Sequence, residues 1–251
     1  MPPFEHLRRL ARWTGDSSSF LHETALCLAE FDDDRAGLVV ACRRLLAHHP
    51  ANGALWWMCS RVCCALDPAK GATEAWEVLA DDDTAGRLAG ALPFPHDEPI
   101  VVFGWPSVVA KALQDRPDLD IRGDLEEFDA SDGFGGSDFP EGRSATHLLV
   151  AVEAVGPDVC IAAAGAGPMV SAARELGAEL WLVASRGRVL PQPLMAAALR
   201  ALRSSEVDAS AYAVLALDDV ARVAVNAGLI EVPALPRHVE CPVAQELLRI
   251  A

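Results

Sequence analysis

Glu153, Cys160, the run Gly165-Ala166-Gly167 and a scatter of arginines are the residues whose types and spacing allow chemistry. Gly165-Ala-Gly167-Pro168 follows a short apolar run, Asp158 to Ala162. It precedes Met169, Val170, Ala172, Ala173 and Leu176, which recur at helical spacing. The first turn of a helix has N–H groups without partners, and glycines let a ligand come close, so the loop has the elements of a phosphate cradle. Pro168 suits that turn because it has no N–H to leave unpaired. The same residues equally suit a tight strand-to-helix turn with no ligand. A dinucleotide loop needs glycine where Val170 stands and an acidic residue after the next strand. The chain has Ser185-Arg186-Gly187 there, so no nicotinamide is expected, nor any other cofactor.

Phosphate recognition calls for cations as well as glycines, because bidentate arginine is its strong partner. Arg122, Arg143, Arg186 and Arg188 are the nearest to the loop in the expected order of elements. Arg186-Gly-Arg188 follows the C-terminal end of a strand, where ligands sit in open α/β sheets; a solvated loop is the other reading. Ser107, opening a helix after the strand Ile100 to Phe103, is grouped with Gly165, Ala166, Gly167, Arg122, Arg186 and Arg188 as a ligand-binding set. Proton transfer requires a group of suitable pKa within hydrogen-bond reach. Glu153 is the candidate base and Cys160, on the neighbouring strand, the candidate second group. Alternatively Glu153 pairs with an arginine and Cys160 is core.

No metal site is expected. The seven cysteines are odd in number and match no zinc spacing. Cys59 and Cys63, one helical turn apart in an apolar stripe, read as reduced core thiols. His48-His49 reads as a helix C-terminus before Pro50.

The 251 residues are half apolar (51%) and carry a net charge of −15, so a substantial core is available and nucleic acid is not an expected partner. Lys70 and Lys111 are the only lysines, so an anion needs a local positive pocket. No apolar run suggests a leader or a membrane span; a cytoplasmic protein with no membrane partner is expected.

Residues 1–92 read as a helical domain. Helices are expected near Phe4 to Thr14, Leu21 to Phe31, Leu38 to His49, Ala54 to Leu66, Asp67 to Leu79 and Asp81 to Leu92, with acidic residues at several starts as the helix dipole favours. Pro93 to Pro99 reads as a linker. Residues 93–251 then alternate strands and helices, which implies a parallel sheet covered on both faces. Strands are expected at Ile100 to Phe103, Leu119 to Arg122, Ala145 to Val152, Asp158 to Ala162 and Glu179 to Ala184. The last two flank the glycine loop as a β-α-β unit. The acidic, glycine-rich stretch 128–142 reads as a lid or a surface loop. Asp218-Asp-Val-Ala-Arg and Cys241-Pro-Val-Ala-Gln-Glu-Leu-Leu read as helix starts. The fold class is α/β, a helical domain followed by a Rossmann-like parallel sheet.

Several strings in this order resemble the translation initiation factor 2B alpha/beta/delta family, which includes methylthioribose-1-phosphate isomerase and ribose-1,5-bisphosphate isomerase. Ala151-Val-Glu153-Ala-Val stands where that family has Gly-Ala-Asp-Ala-Val, and Ala162-Ala-Ala-Gly165-Ala166 where it has Asn-Lys-Ile-Gly-Thr. His49-Pro-Ala-Asn-Gly-Ala-Leu-Trp, Ile100-Val-Val-Phe-Gly-Trp-Pro-Ser and Cys241-Pro-Val-Ala-Gln-Glu-Leu-Leu resemble further family segments. The resemblance implies the two-domain fold, a homodimer and a phosphorylated small molecule as ligand. The isomerases' cysteine falls at Gly104, their aspartate at Glu153, and their Asn-Lys pair at Ala162-Ala163. The resemblance therefore implies a non-catalytic, ligand-binding regulatory or scaffold dimer. The alternative is a sugar-phosphate isomerase of aldose-ketose type with Glu153 as base.

Overall fold

Asp16, Asp34, Asn52 and Asp67 each stand one residue ahead of a helix. Their side chains accept the N–H of Ser19, Gly37, Leu55 and Lys70, at 2.7–3.0 Å. Each bond satisfies an N–H that has no partner inside the helix. These caps start four of the six helices of the first half: α2 (Ser17–Ala29), α3 (Arg35–His48), α4 (Gly53–Cys64) and α5 (Pro68–Ala80). α1 (Pro3–Ala11) precedes them and α6 (Thr84–Ala91) follows. The computed structural model describes residues 3–92, 99–103, 107–114, 116, 120–122, 146–204 and 209–249. The expected linker and the glycine-rich stretch 128–142 lie outside the described residues or almost wholly so.

The second half contains β1 (Pro99–Phe103), α7 (Ser107–Gln114), β2 (Asp120–Arg122), β3 (His147–Val155), β4 (Val159–Ala163), α8 (Ala166–Glu175), β5 (Glu179–Val183), α9 (Gln192–Ser204), β6 (Tyr212–Ala216), β7 (Val220–Val225) and β8 (Gly228–Ile230). β2, β1, β3, β5 and β7 form a parallel sheet in that order, and β8 closes one edge antiparallel to β7. The fold class is the expected α/β class. Apolar residues from both faces of the sheet are buried, Leu148 and Val150 on one and Ile100, Val102 and Leu149 on the other, as a parallel sheet with helices on each side requires.

Three local readings are corrected. β4 does not lie parallel to β5. It turns back on β3 as an antiparallel hairpin, pairing Val155 with Cys160, and carries β6 on its other edge. Gly156 N–H donates to Val159 O at 2.9 Å, a connection far too short for a parallel crossover. The parallel β-α-β unit is therefore β3, then α8, then β5. The segment at Asp218 is not a helix start but a turn into β7, where Val220, Val223 and Val225 are buried, as β-branched residues favour. The segment at Cys241 is extended and ends in one 3-10 turn, Gln245–Leu248. Its backbone bonds go to other elements. Ser60 Oγ donates to Pro242 O at 2.5 Å, Ala244 N–H donates to Ser60 Oγ at 2.9 Å, and Arg43 donates to Glu246 O from two nitrogens.

α4 is the axis of the helical layer, with Leu55, Trp56, Trp57 and Met58 at most 1% exposed. Trp56 Nε1 donates to Pro50 O at 2.9 Å, which satisfies its one polar group. One apolar cluster joins these helices to Ala154, Ile161, α9 and the C-terminal Cys241, Ala244 and Leu247. The N-terminus of α4 meets β3 backbone to backbone. A Cβ on Gly53 would lie 2.6 Å from Glu153 O and 3.0 Å from Ala154 Cβ, so no larger residue fits that seam.

Candidate functional site

Where the helical layer meets the C-terminal end of the parallel sheet, a cleft of about 330 Å³ opens. Three sets of elements build it. α2 and α5 give an apolar wall, Leu21, Trp76 and Leu79, with Ser17 and Ser18 at its rim. α7 gives Ser107 and, one turn on, Lys111; the i, i+4 spacing sets both on one face. The loop after β5 gives Ser185, Arg186 and Arg188. That loop is held in place. Ala184 N–H donates to Ala224 O at 2.8 Å, and Arg188 N–H to Ser185 O at 3.0 Å. Val155 N–H donates to Arg188 O at 2.8 Å and Leu190 N–H to Val155 O at 2.8 Å, which fixes the loop to the end of β3.

The two arginines are oriented by different partners. Arg188 Nη1 donates to Val152 O at 2.7 Å and to Glu153 Oε2 at 2.8 Å. Its Nε and Nη2 make no hydrogen bond among the described residues and remain available to a ligand. Arg186 Nη1 donates to Asp81 O at 3.1 Å, and its Nε lies 3.5 Å from Glu240 Oε2 without a hydrogen bond. Both side chains are about four-fifths buried. Charged pairs in such surroundings are screened less than exposed ones. The cleft is lined by three cations, Lys111, Arg186 and Arg188, and one carboxylate, Asp82, with Arg186 also paired to Asp81 and Glu240 and Arg188 to Glu153.

Of the residues singled out from sequence, Ser107, Arg186 and Arg188 are brought together, and Glu153 reaches the same place through its bond to Arg188. Gly165, Ala166 and Gly167 do not line this cleft. Gly165 is the N-cap of α8 at φ +85°, with no side chain capping the helix. A Cβ on it would meet only Phe103, at an ordinary 3.4 Å, so the left-handed backbone rather than crowding accounts for glycine there. Gly167 has a non-strained φ, and a Cβ on it would come no closer than 4.0 Å to Leu215. Arg122 belongs to the edge strand β2, beside Val101; its side chain, Gly104 and Arg143 lie outside the described residues.

Cys160 requires correction as a catalytic candidate. It is fully buried in the apolar cluster of Val152, Val155 and Val223, and burial pushes its thiol up to about 12. A thiol so placed is neither ionised near neutrality nor open to a substrate. Its strand partner is Val155, not Glu153.

Lys111, Ser185, Asp82 and Trp76 are among the lining residues that sequence reading did not select. Lys111 had a signal: it is one of two lysines and lies four residues after Ser107. Trp76 had none, since an aromatic at helical spacing reads as core. Among the described residues no cluster suited to a metal ion occurs, and no helix is long and apolar enough to cross a membrane.

No protein-family model and no curated protein sequence matches the chain. Solved structures do. The translation initiation factor eIF-2B of Pyrococcus horikoshii OT3 superposes with a TM-score of 0.64 at 11% identity, covering 95% of this chain and 98% of its own. A chain of the tetrameric eIF2B-beta2-delta2 complex from Chaetomium thermophilum gives 0.65 at 12% identity, covering 93% and 91%. The 5-methylthioribose 1-phosphate isomerase of Pyrococcus horikoshii OT3 gives 0.54 at 12% identity, covering 94% and 86%. Over nearly its whole length, then, the chain has the fold shared by eIF2B subunits and 5-methylthioribose 1-phosphate isomerase.

Proposed function

We propose that this chain binds a phosphorylated sugar or nucleotide in the cleft between the helical layer and the sheet, and acts as a non-catalytic regulatory or scaffold dimer. The observation that carries the reading is the convergence of Ser107, Lys111, Arg186 and Arg188 on one cleft from two separate elements. Three cations at one end suit an anionic group, and the Leu21, Trp76 and Leu79 wall suits an apolar or ring-shaped body at the other. The non-catalytic part of this reading is supported by the groups at hand. Cys160 is core, and the Glu153 carboxylate is taken by Arg188. The dimer, and a cytoplasmic location, belong to this reading; a structure of this fold that is a chain of a tetrameric beta2-delta2 complex supports assembly into oligomers.

The isomerase reading rests on Glu153 alone, one hydrogen bond from a cleft-lining arginine. A substrate phosphate that drew Arg188 away would free the carboxylate to take a proton. Ring-opening and isomerisation of methylthioribose 1-phosphate, followed by loss of the substrate signal and abolished by Glu153→Gln, would establish it.

A thermal-shift panel of pentose mono- and bisphosphates, methylthioribose 1-phosphate, AMP, GMP and inorganic phosphate tests the main reading. A ligand at about a hundred times its dissociation constant adds roughly 2.7 kcal/mol to stability. For a chain of this size that raises Tm by about 5–10 °C. No shift with any member rejects the binding reading.

A further inference from the structure

The C-terminal segment from Val239 onward lies across α4 as an extended strap. Ser60 holds it, through Pro242 O and Ala244 N–H. Cys64 stands four residues after Ser60, on the same face of α4 and about 6 Å further along it. Cys241 precedes Pro242 by one residue and Ala244 by three, so it lies within about 10 Å of extended chain from the Ser60 anchor. Cys64 is exposed and Cys241 is 8% exposed, and both line one open cavity of about 540 Å³ with Arg61, Glu74 and Glu240. Two thiols lining one cavity, one of them open to solvent, combine the access and the neighbouring resolving thiol of a redox-sensitive pair.

We propose that Cys64 and Cys241 form a redox couple whose disulfide locks the C-terminal strap onto α4. The oxidant is a hydroperoxide. The Cys64 thiolate attacks the outer peroxide oxygen, the O–O bond breaks, and Cys64 becomes a sulfenic acid while the peroxide leaves as an alcohol or water. The Cys241 sulfur then attacks the Cys64 sulfur. The S–S bond forms, the S–O bond breaks, and water departs with the Cys241 proton. The two thiols supply the two electrons that reduce the peroxide.

The order of events follows from access and acidity. Cys241 is held up to about 12 by burial, so it does not start the reaction and serves as the resolving thiol. The Cys64 thiol is also raised, by partial burial and by Cys63 and Glu246, with Arg35 opposing. The first step is therefore slow at neutral pH and quickens as pH rises. A second thiol pair lies nearby: Cys42 and Cys63 have their sulfurs 3.8 Å apart. Both are buried in the helical core, and neither lines the cavity through which a peroxide reaches Cys64.

The test treats the purified full chain with hydrogen peroxide and maps its peptides by mass spectrometry without reduction. The expected result is a loss of about 2 Da, in a linked peptide joining Cys64 to Cys241, reversed by dithiothreitol. Forming it should slow hydrogen exchange at the Ala244 amide at least tenfold. Cys64→Ser, an exposed site that leaves the fold intact, should abolish the link, and Cys241→Ala should leave Cys64 as a sulfenic or sulfinic acid. A link mapped to Cys42 and Cys63, a link between two chains, or over-oxidation of Cys64 in the unsubstituted protein with Cys241 still free would each overturn the proposal.

Discussion

The cleft and the glycine loop read alike in sequence, each a strand end followed by small or polar residues and a helix. The structure separates them. At the loop, α8 begins uncapped at Gly165, and its N-terminus offers the partial charge of a helix dipole, equivalent to about half an elementary charge. At the cleft, Lys111 comes from α7 and Arg186 and Arg188 from the loop after β5, so full charges converge from positions some 75 residues apart in the chain. A helix terminus is a local property that any tight turn can produce. A constellation of cations has to be assembled by the fold, and for that reason it is the better mark of an anion site.

The comparison breaks most severely at the seam on which the cleft depends. Gly53→Val would force a side chain against Glu153 O and Ala154, both close to backbone that cannot yield. It should cost about 3 kcal/mol or more, at the upper end of overpacking effects, and part α4 from β3. Chemical denaturation would show a lower midpoint, and ligand-induced shifts would vanish with it. A comparable volume added at Gly167, where a Cβ would lie 4.0 Å from Leu215, should be tolerated. If Gly53→Val left stability unchanged, the helical layer would not be seated on β3 as described.

Next in size are the cleft cations. Arg188→Ala removes a charge-assisted donor and leaves Glu153 without its partner, so an anionic ligand should bind at least tenfold more weakly. Lys111→Ala removes a charge while disturbing no hydrogen bond or ion pair among the described residues, and should weaken the same ligand several-fold with Tm of the free protein nearly unchanged. Titration calorimetry against the best compound of the panel measures both. Unchanged affinity in the two variants would move the site out of the cleft.

Acid should act on the helical layer more than on the sheet. His49 is packed against Phe20, its Nε2 is 2.8 Å from Leu10 O, and burial holds its pKa below the ordinary 6.5. The unfolded chain then takes up a proton at a higher pH than the folded one. Stability from the neutral ring is complete above about pH 6.5 and is lost as pH falls through the folded pKa. His49→Gln, which keeps an amide donor and does not titrate, should flatten the slope of Tm against pH between about 6.5 and 5.

How much of this was legible depended on whether the deciding interaction was local. The caps Asp16, Asp34, Asn52 and Asp67, and the stop of α8 before Gly177, depend on residues within a few positions, and sequence reading found most of those helices. The β4 hairpin was misplaced because the run from Asp158 to Ala162 has the composition of any buried strand; only its pairing with β3 and β6 decides its direction. The strap at Cys241 failed for a similar reason, since its hydrogen bonds go to Ser60 and Arg43, about 180 and 200 residues away. At the site, Arg186 and Arg188 were found from the rule that ligands gather at strand ends. Trp76 was invisible because nothing in α5 distinguishes a side chain facing a cleft from one facing the core.

The smallest expected effect is the most discriminating. Gly167→Asp places a carboxylate in the first turn of α8 at a position with room for it and no left-handed backbone to strain. An acidic residue at a helix N-terminus is neutral or slightly favourable, so stability should change by less than about 0.5 kcal/mol. If the ligand sits in the cleft, its affinity should hold within about twofold, because Gly167 does not line that cavity. If the loop cradles the phosphate, a fixed negative charge at its centre must repel it, and binding should fall by a hundredfold or more. Paired with Lys111→Ala, the substitution assigns the anion to one region or the other: affinity lost at Lys111 alone places it in the cleft, and lost at Gly167 alone places it on the loop.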